Sequence, residues 1–286
     1  MSSSTFTPTH VWLNGDLKAI TEARIDPFDH GLLTGDGVFE TLIVYNGKPF
    51  ALRRHCERLS RSTAVLGLEA PSQEVLAKAI DEVIEANGSL SGRLRITVTG
   101  GPAPLGSEKG EATSTLIVAY ASLPPHGPEA HLVTVPYRRN EHGALTNHKT
   151  ISYGENVVAL AHAKKQGGTE AIFANTAGSL CEGTGSNLFI VYEDELITPP
   201  ISSGCLPGVT RALVLDLCET EGLTVSQRNV PLRALNEATE AFLTSTLREV
   251  QPVRTVDGSE LPQCPGPISS KLRDAYQKLL QERVDP

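Results

Sequence analysis

The chain is short of the features that would send it to a membrane, a nucleic acid or an oxidising compartment. In 286 residues no apolar stretch approaches the length of a membrane span, and the opening MSSSTFTPTH has neither the basic nor the apolar part of a signal peptide. Charge excludes a second class: 25 basic residues against 33 acidic ones leave a net charge of −8 with no Lys/Arg stripe, so nucleic acid is not an expected partner. Cysteine excludes a third. Cys56, Cys181, Cys205, Cys218 and Cys264 are scattered, odd in number and without a CxxC pair, which argues against a disulfide framework and against a zinc site. No metal is expected, and buried free thiols are the ordinary reading. A cytoplasmic location follows by default, and no internal repeat is present.

What remains is an ordinary globular composition, 40% apolar and 20% charged, in a chain long enough for one large domain or two modest ones. Period-two alternation and turn residues predict strands at 11–13, 39–45, 93–99 and 115–121, with tight turns at Asn14-Gly15 and Asn46-Gly47. Apolar residues at helical spacing predict helices over 53–68 and from Ser72, a plausible cap, through Ile84. The segment 122–128 breaks both periods with Pro and Gly and is the expected linker. Beyond it come expected strands at 131–135, 171–174, 188–192, 196–198, 225–230, 240–245 and 253–256. Helices are expected up to Lys165, over 208–217 and over 268–283. Mixed runs in which strands outnumber helices predict an α+β fold of two domains, 1–121 and 129–286, joined at 122–128.

The stretch around which this chain is organised is LTNHKTISYGENVVALA, 145–161. It sets a single lysine, Lys149, in a polar loop with Tyr153 four residues on and a helix-like run after it. A lysine that must be uncharged to react is best held in a tight, partly dry site, and such lysines form Schiff bases with carbonyl compounds, pyridoxal phosphate among them. A solvated loop lysine is the alternative. Of three glycine-rich stretches, GDGVFE (35–40) and GTGSNLFIV (183–191) lead into strands, so neither is a dinucleotide fingerprint. The third, Leu206-Pro207-Gly208-Val209-Thr210-Arg211, leads straight into a helix, whose unbonded amides and Thr210 hydroxyl suit an anion; an ordinary cap is the alternative. Thr244-Ser245-Thr246 ends an apolar strand with three hydroxyls, either phosphate ligands or a turn. Arg58 lies three residues from His55 on one helix face and can supply a bidentate cation, or can be a solvated helix residue. Glu182 enters an apolar segment and needs a partner there, a pyridinium N–H or a structural arginine.

In the order FDHGLLTGDGVFET, HCERL, HKTISYGEN, LCEGTGSNLFIV, LPGVTR and TSTLREVQPV, these motifs cover nearly the whole chain, which resembles the class IV (fold type IV) pyridoxal phosphate enzymes. That family comprises branched-chain aminotransferases, D-amino acid aminotransferases, (R)-selective amine transaminases and 4-amino-4-deoxychorismate lyases. The resemblance implies a small N-terminal α/β domain, a larger C-terminal domain of mixed β-structure, and a homodimer. It implies that Lys149 bonds the cofactor and then carries the substrate's proton, that Tyr153 meets the cofactor's 3-oxygen, and that Glu182 pairs with the pyridine nitrogen. It further implies that Leu206 packs on the ring and that Arg58, Val209, Thr210, Ser245 and Thr246 hold the phosphate. Substrate contacts are expected from Phe39, Arg24, Arg95 and Arg138. The loop GGPAPLGSEKG lacks the Arg and His with which D-amino acid enzymes grip the substrate carboxylate, and the branched-chain Gly-Gly-Asn-Tyr stretch survives only as Tyr153. The expected activity is amino transfer from a D-amino acid or (R)-amine to a 2-oxo acid. A lyase releasing pyruvate from aminodeoxychorismate ranks second and branched-chain L-amino acid transfer third.

Overall fold

A computed structural model describes residues 6–111, 113–123 and 125–286. They form two compact units: the described residues through Pro125 with His148–Ser152 and Asp285, and His126–Asn147 with Tyr153–Val284 and Pro286.

The first unit contains β1 (His10–Leu13), β2 (Asp16–Ala19), α1 (His30–Leu33), β3 (Gly37–Tyr45), β4 (Lys48–Pro49), α2 (Leu52–Val65), α3 (Gln73–Asn87), β5 (Gly92–Thr99) and β6 (Thr115–Ala121). The strands form an antiparallel sheet in the order β2-β1-β6-β5-β3-β4. Asn14 and Gly15, and again Asn46 and Gly47, take positive φ at the hairpin tips, as two-residue turns of matching twist require. The wet-and-dry alternation of β5 buries Leu94, Ile96 and Val98 against Leu42 of β3 and Val118 of β6, and Leu59 of α2 with Leu76 and Ile80 of α3 closes this core. Ser72 caps α3 by accepting from the Val75 amide. Asp29, buried, accepts from the Gly31 amide and from the hydroxyls of Thr99 and Thr115, tying the loop before β3 to the ends of β5 and β6.

β3 has β5 along one side and the short β4 at the far end of the other. The opening residues of that second edge, 37–39, pair with the lysine segment. The Phe39 amide donates to the Lys149 carbonyl at 3.0 Å, the Ile151 amide donates to the Gly37 carbonyl at 2.9 Å, and Val38 and Thr150 form an antiparallel bridge. Gly37 has no room for a side chain, because a Cβ would meet the Val98 carbonyl and Ile151, each at 2.8 Å.

The second unit contains β7 (Ala130–Arg139), α4 (Gly154–Lys165), β8 (Glu170–Asn175), β9 (Leu180–Gly183), β10 (Asn187–Tyr192), β11 (Glu195–Thr198), α5 (Val209–Thr220), β12 (Val225–Gln227), β13 (Glu240–Ser245), β14 (Glu249–Val256), β15 (Ser259–Glu260) and α6 (Pro267–Glu282). Its sheet runs β12-β11-β10-β13-β14-β7-β8-β9, with β15 on β14. Parallel pairs (β14 with β7, β7 with β8, β11 with β12) alternate with hairpins, the mixed pattern expected of an α+β chain. Phe189 and Phe242 face each other across β10 and β13 and stack at 4.9 Å, beside a core of Leu188, Ile190, Leu243 and Val253.

Three strand expectations need correction. β7 does not stop at Val135: it passes through Pro136, which cannot donate to the ladder, and resumes pairing with β8 at Arg138 after a register irregularity. Glu182 does not precede a strand but lies within one, β9, opposite Phe173. The strand expected over 225–230 ends at Gln227, and Pro231 caps a short 3-10 turn.

The first core gives a direct test. Leu42 is fully buried, so Leu42→Ala should lower unfolding free energy in a denaturant titration by about 2–5 kcal/mol. Leu105→Ala, at a side chain 76% exposed, should change it by less than about 0.5 kcal/mol.

Candidate functional site

Lys149 is half-buried, and its place is set by backbone on both sides. Besides the β3 pairing, its amide donates to the Ser62 hydroxyl of α2 at 3.2 Å. Its Nζ lies 4.2 Å from the centroid of the Phe39 ring, and the Arg95 guanidinium lies 3.7 Å from the same centroid. Two cations thus share one aromatic ring, whose negative face favours both while they repel each other. Arg95 also donates to Thr97 at 3.2 Å and is exposed.

Behind that ring stands a buried polar cluster. Glu40, fully buried, accepts from Arg58 Nε and Nη2, each at 2.7 Å, and from His55 Nδ1 at 2.7 Å. The helical spacing of His55 and Arg58 therefore brings both onto one carboxylate, and Arg58 is only 5% exposed rather than solvated. Burial pushes the Glu40 pKa up, but the charges and hydrogen bonds of Arg58 and then His55 outweigh it and hold the group at about 2. Burial holds the His55 imidazole below its ordinary 6.5 despite the adjacent carboxylate.

The second unit holds a separate group of the expected residues. Glu182 takes the Leu206 amide on Oε2 at 2.8 Å and faces Arg139 Nε at 3.2 Å from Oε1, so the structural arginine partner does exist. Leu206 is half-buried, and its carbonyl accepts from Asn187 Nδ2 at 2.8 Å. Gly208 precedes α5, and a Cβ there would run into Asn187 Oδ1 and displace that side chain. Among the described residues no side chain caps α5, whose first residues Val209 and Thr210 are buried. The Thr244 hydroxyl is buried with no hydrogen-bond partner among the described residues. Ser245 and Thr246 follow it half-buried, with the Ser245 hydroxyl accepting from the Arg248 amide at 3.2 Å. Tyr153 is half-buried at the start of α4.

The remaining substrate candidates are Arg24 and Arg138. Arg24 is exposed and spends Nη1 on the Thr21 and Ala23 carbonyls, and Arg138 is exposed on β7. Sequence reasoning passed over Glu40 as a partner for Arg58 and left the structural arginine beside Glu182, Arg139, unnamed. A glutamate in the middle of the otherwise apolar strand GVFETLIVY was the available signal for the first. No helix is long and apolar enough to cross a membrane, and no cluster of three His, Cys, Asp or Glu suits a metal, among the described residues.

Residues 37–256 match the family model described as amino-transferase class IV. A putative branched-chain-amino-acid aminotransferase of Methanocaldococcus jannaschii is 33% identical over 94% of this chain and 96% of that protein. A D-alanine aminotransferase of Bacillus licheniformis is 32% identical over 93% of this chain and 95% of that protein. Among solved structures, a branched-chain amino acid aminotransferase of Thermoproteus uzoniensis with norvaline superposes with a TM-score of 0.87 at 29% identity, covering 97% of this chain and 95% of that one. A putative 4-amino-4-deoxychorismate lyase of Legionella pneumophila gives 0.85 at 26% identity, covering 91% and 96%. A further branched-chain amino acid aminotransferase, solved with pyridoxamine 5'-phosphate, gives 0.89 at 28% identity.

The buried cluster makes stability acid-sensitive in a defined order. His55 has a folded pKa below 6.5, so its contribution is present above 6.5 and is lost as pH falls below it. Glu40 has a folded pKa of about 2, so its contribution is present above 4.5 and is lost as pH falls toward 2. Thermal midpoints followed into acid should fall in both windows, and His55→Asn, which keeps a donor near the Nδ1 position, should flatten only the upper one.

Proposed function

This chain belongs to the class IV aminotransferases, which are pyridoxal phosphate enzymes, and we propose that it moves an amino group from a D-amino acid to a 2-oxo acid such as pyruvate or 2-oxoglutarate. The observation that carries the amino-acid part is Arg95, an exposed guanidinium on the ring that also carries Lys149. A fixed cation beside the reacting amine selects donors that bear a carboxylate, and a bare (R)-amine offers it none. The D-configuration rests on the stretch GDGVFETLIVYNG and on the D-alanine aminotransferase relative. Branched-chain L-amino acid transfer is the second reading, favoured by the relative at 33% identity.

The residues fit the cofactor. An uncapped helix start at α5, a glycine that lets the chain approach closely, and an orphaned Thr244 hydroxyl suit a phosphate. A buried carboxylate suits a ring N–H. When bound, pyridoxal phosphate supplies an aldehyde for an amine and a protonated ring that draws electrons from the substrate. Lys149 is then the residue that bonds the cofactor and afterwards moves the proton from the substrate Cα. Glu182, ionised, would accept a hydrogen bond from the protonated ring nitrogen, Tyr153 would donate to the 3-oxygen and Leu206 would pack on the ring. The amides of Val209 and Thr210, with Ser245 and Thr246, would hold the phosphate. Phe39 and Arg95 receive the substrate. A second copy of the chain covers the exposed apolar side chains Phe28, Leu32, Leu105, Val157 and Val158, making a homodimer. The five cysteines are free thiols, which suits a reducing cytoplasm.

The test is a half-reaction. D-alanine, L-leucine and (R)-1-phenylethylamine are added separately to the cofactor-loaded protein, without acceptor, while the visible band of the lysine-bound cofactor is followed. Loss of the band with D-alanine alone is expected. Loss with L-leucine alone transfers the assignment to branched-chain substrates, and silence with all three points to the lyase. Arg95→Gln should raise the KM for the amino acid by about tenfold or more with cofactor retained. Lys149→Ala should lose the borohydride-trappable cofactor and at least about a thousandfold in turnover.

A further inference from the structure

Arg139 reaches Glu182 from two strands away. It ends β7, Glu182 lies in β9, and β8 runs between them. Phe173 of β8 stands opposite Glu182 in the pairing register and is fully buried. The Arg139 guanidinium crosses the face of that ring at 4.3 Å to bring Nε within 3.2 Å of Glu182 Oε1. Phe173 thus serves as the rail along which the cation is laid.

The guanidinium is also gripped from its other side. Nη2 donates to Asn156 Oδ1 at 3.0 Å, and Nη1 lies 3.4 Å from the Glu155 carboxylate on the same helix, α4. Asn156 is buried, and its own amide donates to the Thr184 carbonyl at 2.6 Å. Thr184 in turn donates through its amide and its hydroxyl to the buried carboxylate of Glu170, which also accepts from Ser186. Arg139 is therefore held by contacts that do not involve Glu182. Its Nε, buried, makes no well-aligned hydrogen bond among the described residues, so the contact with Glu182 acts through charge and proximity.

We propose that Arg139 is a positioning residue that keeps the Glu182 carboxylate ionised and aimed, and thereby decides how fully the cofactor's ring nitrogen keeps its proton. A cation acts most strongly on the group it touches, so it lowers the proton affinity of Glu182 more than that of a base farther off. With Arg139 in place the shared proton rests on the ring nitrogen; without it, the proton moves toward Glu182. This inference rests on the assignment of Glu182 to the ring nitrogen.

The test loads the full-length protein with pyridoxal phosphate carrying nitrogen-15 in the ring and reads the nitrogen chemical shift, a quantity that general loosening of the fold does not move in a set direction. Arg139→Gln should move the shift toward the unprotonated value, Arg139→Lys should restore part of it, and thermal melts check that each variant folds. Asn156→Ser loosens the guanidinium without removing it and should move the signal the same way by a smaller amount, so a misfolded Arg139→Gln leaves the test intact. In the Glu182→Gln background, Arg139→Gln should add nothing, because it acts through that carboxylate. An unmoved signal in Arg139→Gln and Asn156→Ser, with Glu182→Gln shifted, overturns the role of Arg139 alone, as does a fully additive shift in the double variant. A Glu182→Gln signal identical to wild type overturns the ring-nitrogen assignment and this inference with it.

Discussion

The backbone pairing of residues 149–151 with the edge of β3 is the constraint on which the chemistry of the first unit depends. A strand alternates its side chains, so neighbouring positions 39 and 40 serve opposite purposes. Phe39 offers a ring face to Lys149 and Arg95, while Glu40 turns to α2 and collects Arg58 and His55. One register error would exchange the two and leave a carboxylate without its arginine, a fault costing about 3–5 kcal/mol for a buried charge. The Lys149 backbone therefore takes its position from the stiffest available source, a hydrogen-bonded sheet edge.

The second unit solves a related problem with side chains. Glu170, Thr184, Asn156 and Arg139 form a connected run of hydrogen bonds, and an ion pair carries it on to Glu182. Apart from Arg139 Nε, which meets Glu182 through charge, the buried side chains of that run are hydrogen-bonded, the condition under which such a network stiffens its surroundings.

Much of this was legible in the chain because local rules were obeyed. Asn-Gly turns, the Ser72 cap and the alternation of 93–99 marked the first sheet, and His55 with Arg58 at helical spacing foretold a shared face. The α+β class holds. What stayed hidden was set by tertiary contact. Pro136 reads as the end of a strand, yet the sheet absorbs it by shifting register, and only that extension places Arg139 opposite Asn175 and within reach of Glu182. Likewise β9 is four residues long and carries a glutamate and a glycine, so neither period nor propensity marks it; pairing with β8 makes it a strand. Glu40 announced itself as a charge in an apolar run, but its partners lie 15 and 18 residues away, beyond any pattern of spacing.

Asp29 has a consequence for how this protein can change over evolutionary time. The carboxylate clamps the root of the loop that follows β5 through Thr99 and Thr115, and His30 adds a contact to the Pro104 carbonyl at 2.9 Å. Farther out, the loop is tied down by Lys109 on Asp36 at 2.7 Å, an exposed pair worth at most about 1 kcal/mol. A loop anchored at its root and lightly held at its tip is a cassette. Its outer residues can be rewritten by drift or by graft while the sheet beneath keeps its register, so descendants of one scaffold can diverge here first.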